Sequence, residues 1–420
     1  MRFLFFILFF MPRLLLAQLQ PIGHLPYAPL SLAGCWHHVD SAGTEYALVG
    51  TSQGLSIVDL SNPAQPKERF AVPGLANNWR EVKTWNGFAY VCTEAANSGI
   101  TIVDLRQLPD TVQWKTWRGP GDSLILNCHT LACADNYLYL FGGNQQGAVI
   151  CDLADPWSPL IMSMYKQNYV HDGYIRGDTL WASEIYAGQF SVIDVSDKTK
   201  PVVLATQPTP GKFNHNAWLS DDSRFLFTTD EKLNTPLGAF DVRDLDNITL
   251  LDQYFPSQRP TFEVHNVRVL NDFLINPSYG GQLSLVDAHR PNNLIETALV
   301  SLGNSLVWDA DPYLPSGIII ATAKSEGFFV FQPTYQRAAY LEGRVTDAAN
   351  GQPLSRVKVL VVAQQNADIT LADGLFRTGV AQPGSYTLQV GKIGYKPLTV
   401  TDVVVKSGEV SWLELQLERY

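Results

Sequence analysis

The sequence predicts an all-β fold, a seven-bladed β-propeller followed by a small β-sandwich, and three observations carry that prediction. An apolar strand ending in aspartate recurs at a nearly constant spacing. Gly and Pro, 31 and 25 of the 420 residues, break the chain into short runs. The recurring pattern then stops near Ala339, and a different set of short strands continues to Tyr420.

The repeat reads GLSIVDLSNP at Gly54–Pro63, GITIVD at Gly99–Asp104, GAVICDLADP at Gly147–Pro156 and GQFSVID at Gly188–Asp194. It returns as GAFD at Gly238–Asp241, GQLSLVDAHRP at Gly281–Pro291 and, degenerate, GFFVFQ at Gly327–Gln332. Its six aspartates are 45, 48, 42, 47 and 46 residues apart, the range of four-stranded propeller blades, so seven copies imply seven blades. Each Asp ends an apolar strand before a turn, where its carboxylate is expected to hold backbone N–H groups. The seventh copy supplies three strands, and Pro29–Gly34 is expected to add the outer strand that closes the ring and removes an open edge.

The N-terminus, MRFLFFILFFMPRLLLAQ, has a basic Arg2, an apolar run and a small-residue exit at Ala17-Gln18. It predicts a signal peptide over residues 1–18 and an exported chain (extracellular, cell-surface or periplasmic) without a transmembrane helix. Leu32-Ala33-Gly34-Cys35 matches a lipoprotein box, but the stretch before it is no apolar core. Five cysteines cannot all pair and show no Cys-x-x-Cys spacing, so buried free thiols are expected. A formal charge of −10 argues against nucleic acid as a partner and leaves an extracellular or cell-surface protein, peptide or glycan. The predicted division is a propeller over 19–336 and a sandwich over 337–420.

The repeat resembles the LVIVD repeat. Together with NCHTL from Asn127, YVHDGY from Tyr169, FNHNAW from Phe213, FTTDE from Phe227 and VHNV from Val264, it resembles the choice-of-anchor B family of secreted bacterial proteins. That resemblance covers roughly residues 30–333 and implies a propeller without implying an activity. EGRVTD from Glu342, GQPL from Gly351 and PGSY from Pro383 resemble the carboxypeptidase regulatory-like, transthyretin-type domain, which implies a noncatalytic β-sandwich.

In a propeller the first strand of each blade lines the channel and the second runs back, so the start of one and the end of the other share a face. This places His129, His171 with Asp172 and Glu184, His215 with Asn216, Asp230 and Glu231, and His265 with Asn266 on one face. Arg80, Glu81 and Glu94, Tyr279, His37 and His38, and Asp309 and Asp311 are expected at the same level. Three readings stand side by side. The polar groups satisfy backbone where the chain enters the channel. The imidazoles of His129, His171, His215 and His265 hold a divalent metal, Zn²⁺, Mn²⁺ or Ca²⁺. The third is a pocket for a polar organic ligand such as a sugar or peptide end. No His-Glu-x-x-His, Gly-x-Ser-x-Gly, phosphate loop or dinucleotide motif is present. A secreted binding or scaffolding protein is therefore favoured, the alternative being a metal-dependent hydrolase or lyase built on the histidines.

Overall fold

The computed structural model describes residues 19–420 except 123, 258–260 and 363–365. The predicted leader, 1–18, lies outside the described residues. Seven antiparallel sheets follow one another along the chain and form the blades. Blade one, for example, runs Leu32–Val39, Glu45–Thr51, Gly54–Asp59 and Lys67–Pro73 from the channel outward. Blade six departs from the pattern. Its inner strand is split into Glu263–Val264 and Arg268–Leu270, both paired with Phe273–Tyr279. Pro277 in that second strand has no N–H to give the ladder.

The ring closes differently from the sequence expectation. The outermost strand of blade seven is Leu19–Leu25, antiparallel to Gly327–Pro333, whereas Leu32–Val39 is the inner strand of blade one. The closing strand, LQPIGHL, carries Pro21 and Gly23 and lacks a clean alternation. It pairs along Gly327–Pro333, with Leu19 in one inter-blade core and Ile22 and Leu25 packed against another.

Seven apolar cores lie between the blades, one for each neighbouring pair. Blade strands alternate their side chains, and each face is buried in a different core. In blade one, Tyr46 and Leu48 join the core shared with blade two, while Ala47 and Val49 join the one shared with blade seven. Each fully buried Leu, Ile or Val contributes about 2 kcal/mol gross. The pattern therefore favours continuous apolar strands, as in Ile57-Val58 and Ile102-Val103.

The repeat aspartates make the expected local contacts. Asp59, Asp104, Asp152, Asp194, Asp241 and Asp287 each accept the backbone N–H two residues on, at 2.7–3.1 Å. Asp287 does more: it also accepts Arg337 Nη1 and the Ala338 N–H, both at 2.8 Å. Through it, blade six meets the C-terminal domain. There, two sheets of three and four strands enclose a single core that includes Val345, Val359, Phe376 and Val390. Arg290 and Asn293 of blade six also reach Glu342. The four cysteines Cys35, Cys92, Cys128 and Cys151 are buried free thiols, and Cys133 is half-buried and free.

These contacts separate two otherwise identical substitutions. Asp152→Ala removes one turn hydrogen bond and is expected to cost about 1 kcal/mol. Asp287→Ala also leaves the buried Ala338 N–H unpaired and takes one carboxylate partner from Arg337, and is expected to cost about 3 kcal/mol. Urea unfolding of both variants checks this, and equal losses would show that Asp287 is only another turn residue.

Candidate functional site

The ladder registers fix which residues are equivalent around the channel. His129 and His171 each donate their N–H to the last paired carbonyl of the second strand, Phe141 and Ser183. His265 donates its backbone N–H to the Pro277 carbonyl. Register shifts bracket His215 and Trp308 at this point of blades five and seven. Such bulges re-aim a side chain, here toward the axis. One level is therefore built of Ala33, Arg80, His129, His171, His215, His265 and Trp308.

Four consecutive blades thus place imidazoles side by side. Ring centroids are 4.0 Å apart for His129–His171, 4.4 Å for His171–His215 and 4.2 Å for His215–His265. Trp308 continues the arc at 4.9 Å from His265. His37 and His38 do not belong to it. They lie farther along the inner strand of blade one, opposite Ala47 and Tyr46, and His37 pairs with Asp311 at 2.7 Å. Their place in the sequence motif resembled the arc, but the bulge between Leu32 and Cys35 puts Ala33 at that level.

The next residue of each inner strand forms a second level: Gly34, Glu81, Thr130, Asp172, Asn216, Asn266 and Asp309. These side chains bind across blades. Thr130 Oγ1 and Asn216 Nδ2 donate to Asp172, at 3.1 and 2.6 Å. Asn266 Nδ2 and Arg268 Nη2 donate to Asp309, at 3.3 and 2.9 Å. Glu81 fills the space in front of blade one, where a Cβ on Gly34 would stand 2.1 Å from its carboxylate. Its Oε1 accepts the indole N–H of Trp308 at 2.8 Å.

Two residues deeper, Trp36, Lys83, Tyr174, Trp218 and Arg268 surround a cavity of about 170 Å³, which His129, His215 and His265 border above. Lys83 lies 4.3 Å over the Trp36 ring and Arg268 4.7 Å over Trp218. These aromatic and cationic residues escaped the sequence reading. Their signal was present: each follows a second-level residue by two, as Lys83 follows Glu81, Tyr174 follows Asp172 and Trp218 follows Asn216.

The carboxylates divide by strand alternation. Glu184 and Asp230, both placed on the ring by sequence, turn away from it. Glu184 accepts Tyr165 Oη, Asn168 Nδ2 and Gln189 Nε2 at 2.6–2.8 Å. Asp230 accepts Thr209 Oγ1 and the N–H groups of Gly211 and Phe213 at 2.5–2.9 Å. Each pins the loop that leads into its own blade's inner strand. The following position points to the axis instead. There Glu94 lies 2.6 Å from His129 Nδ1, and Glu231 lies 3.9 Å from both His215 Nε2 and His265 Nε2. In blade six the same position is Tyr279, whose ring stacks on His265 at 4.4 Å.

The hydrogen bonds assign protons. His265 Nδ1 is 2.6 Å from the Trp308 carbonyl, which can only accept, so Nδ1 carries the proton. Burial first, and then the neighbouring His215, push the His265 pKa well below 6.5, so the ring is neutral and its Nε2 holds a bare lone pair. His171 is likewise pushed well down by burial and by His129 and His215, and His215 is lowered chiefly by burial. Their Nδ1 atoms feel the carbonyls of the next blade but close no hydrogen bond of standard geometry. His171, His215 and Glu231 offer ligand atoms all within 4.8 Å of one another. Two imidazoles and a carboxylate suit Zn²⁺ or Mn²⁺ better than the oxygen-seeking Ca²⁺.

Glu81 gives a pH dependence. Burial, reinforced by Asp309, pushes its pKa from 4.5 to about 7. Between those values the folded chain binds a proton that the unfolded chain releases. The stabilisation is therefore complete below about 4.5 and is lost as pH rises through about 7. The loss amounts to about 3 kcal/mol. Glu81→Gln should flatten the stability profile across this window in urea titrations, and an unchanged slope would contradict the assignment.

Comparisons with known proteins agree with this architecture. Residues 42–73 match the LVIVD repeat, and residues 340–418 match the carboxypeptidase regulatory-like domain. No curated protein matches the chain. Among solved structures, the WD40 β-propeller domain of Doa1 superposes with a TM-score of 0.56 at 11% identity, covering 76% of this chain and 97% of that one. At that identity the likeness is one of fold. The chain combines a β-propeller containing a matched LVIVD repeat with a C-terminal carboxypeptidase regulatory-like domain.

Proposed function

We propose that this protein is an exported binding protein whose recognition site is the propeller channel, and that its ligand is a small polar organic molecule of monosaccharide or amino-acid size. The observation that carries this reading is the cavity beneath the histidines. It joins flat aromatic walls (Trp36, Tyr174, Trp218) to convergent charges of both signs (Asp172, Lys83, Arg268) and the carboxyl group of Glu81. Indole faces stack against the C–H faces of a sugar or an aliphatic stem, while the polar groups fix orientation.

A thermal-shift panel of monosaccharides, sugar acids and amino acids tests the reading. At least one class should raise the melting temperature, by RT ln(1 + [L]/Kd) in free energy, or about 2.7 kcal/mol at a hundredfold excess over Kd. Trp218→Ala should abolish that shift while the apo protein keeps its circular dichroism. No shift with any class, or one that persists in Trp218→Ala, would remove the channel as the site.

Export rests on the sequence of residues 1–18. Removal of residues 1–18 leaves the closing strand, Leu19–Leu25, intact. N-terminal sequencing of protein recovered outside the cytoplasm should begin at Leu19, and a start at Met1 would contradict export by this leader. Under this reading the C-terminal domain, docked through Asp287, is an interaction module attached to the binding propeller.

A further inference from the structure

We propose that His171, His215 and Glu231 form a three-ligand site for a divalent transition metal, zinc or manganese, at the mouth of the channel, with its open coordination position facing the cavity. The inference deepens the channel reading and rests on it only for what fills the open position.

The first argument is the convergence of imidazoles on one carboxylate. His265 is held by the contact of its Nδ1 with the Trp308 carbonyl at 2.6 Å, which turns its Nε2 toward Glu231 Oε1 at 3.9 Å. His215 Nε2 faces the other oxygen of the same carboxylate at 3.9 Å. Two imidazoles converging on one carboxylate is the donor set of a cation site.

Geometry gives the second argument. Ligand atoms of His171, His215 and Glu231 lie within 4.8 Å of one another, with both imidazoles buried and the carboxylate half-buried. Around tetrahedral zinc, bond lengths of about 2.1 Å put donors roughly 3.4 Å apart. Each donor therefore needs to close by less than about an ångström. Glu231, whose side chain is 25% exposed, has the freedom to do so.

The third argument comes from the surroundings. His129 lies beside His171 and donates Nδ1–H to Glu94 at 2.6 Å. His265 donates to a backbone carbonyl. These bonds hold the two imidazoles that flank the ligand pair, whose own buried Nδ1 atoms close no hydrogen bond of standard geometry. Three protein ligands rather than four leave one position for water or a ligand, as in sites that bind exchangeable groups. Of the three ligands, His215 borders the cavity directly.

Full-length protein stripped with chelator and titrated with Zn²⁺ or Mn²⁺ tests the proposal, with bound metal counted by elemental analysis and affinity measured by calorimetry. One ion per chain is expected. Glu231→Gln, a near-isosteric change, should weaken binding at least tenfold, and His171→Ala/His215→Ala should abolish it. His289→Ala, at an exposed histidine away from the channel, should bind as wild type. Cobalt substitution should give the intense visible bands of a low-coordinate site, and Glu231→Gln should change them. Failure of wild type to take up metal would overturn the proposal, as would one ion per chain with unaltered affinity in Glu231→Gln. Trp218→Ala separates the two readings: it should lose the organic ligand yet bind metal normally. An organic ligand that binds while no metal does would leave the channel reading standing alone.

Discussion

Every blade of this propeller shares an apolar core with the blade on each side, and the fold depends on that constraint. A strand that buries both faces has no polar face to offer, so polar side chains collect where strands begin, end or reach the axis. The consequence is a division of labour by position. Middle residues such as Ile57 and Val58 serve two different cores. The residues at the entry of each inner strand are released from both cores and face the channel. Ring closure by Leu19–Leu25 seals the remaining seam, so blade one and blade seven are held by packing and by a ladder that ties the chain's start to the last blade.

The site follows from the same periodicity. Rotation around the axis turns one sequence position into a level of the channel, and the chain varies that position blade by blade. Ala33 and Gly34 leave room on one side, Glu81 reaches into it, and four histidines occupy the other side. Bulges and the split strand at His215, His265 and Trp308 turn these side chains inward. The carbonyl of Trp308 in the next blade then orients His265, and Glu94 orients His129.

Much of this was legible in the sequence, and the limits have physical causes. The repeat aspartates could be read because their contact spans two residues and needs no tertiary context. The histidine arc could be read because a period near 46 residues makes equivalent positions visible in one dimension. Glu184 and Asp230 were misplaced because neighbouring residues at a strand end point to opposite sides. Sequence locates the end of the strand without fixing which of two adjacent carboxylates faces the axis. His37 was misplaced by a bulge that shifts the register of its blade. The closing strand was missed because Pro21 and Gly23 interrupt its alternation. Lys83, Trp218 and Arg268 were missed because the sequence reading stopped at the first polar level of the channel.

Central to the site is that His215 and His265 face one carboxylate, Glu231, with His265 held as its Nδ1–H tautomer. Nitrogen-15 NMR of histidine-labelled, metal-free protein at neutral pH tests it most directly, because two-bond and three-bond couplings distinguish the tautomers. The account predicts that His265, assigned through His265→Gln, carries its proton on Nδ1, and that adding zinc shifts the Nε2 resonances of His171 and His215. An Nε2–H tautomer at His265, or an imidazolium ring there at neutral pH, would contradict it.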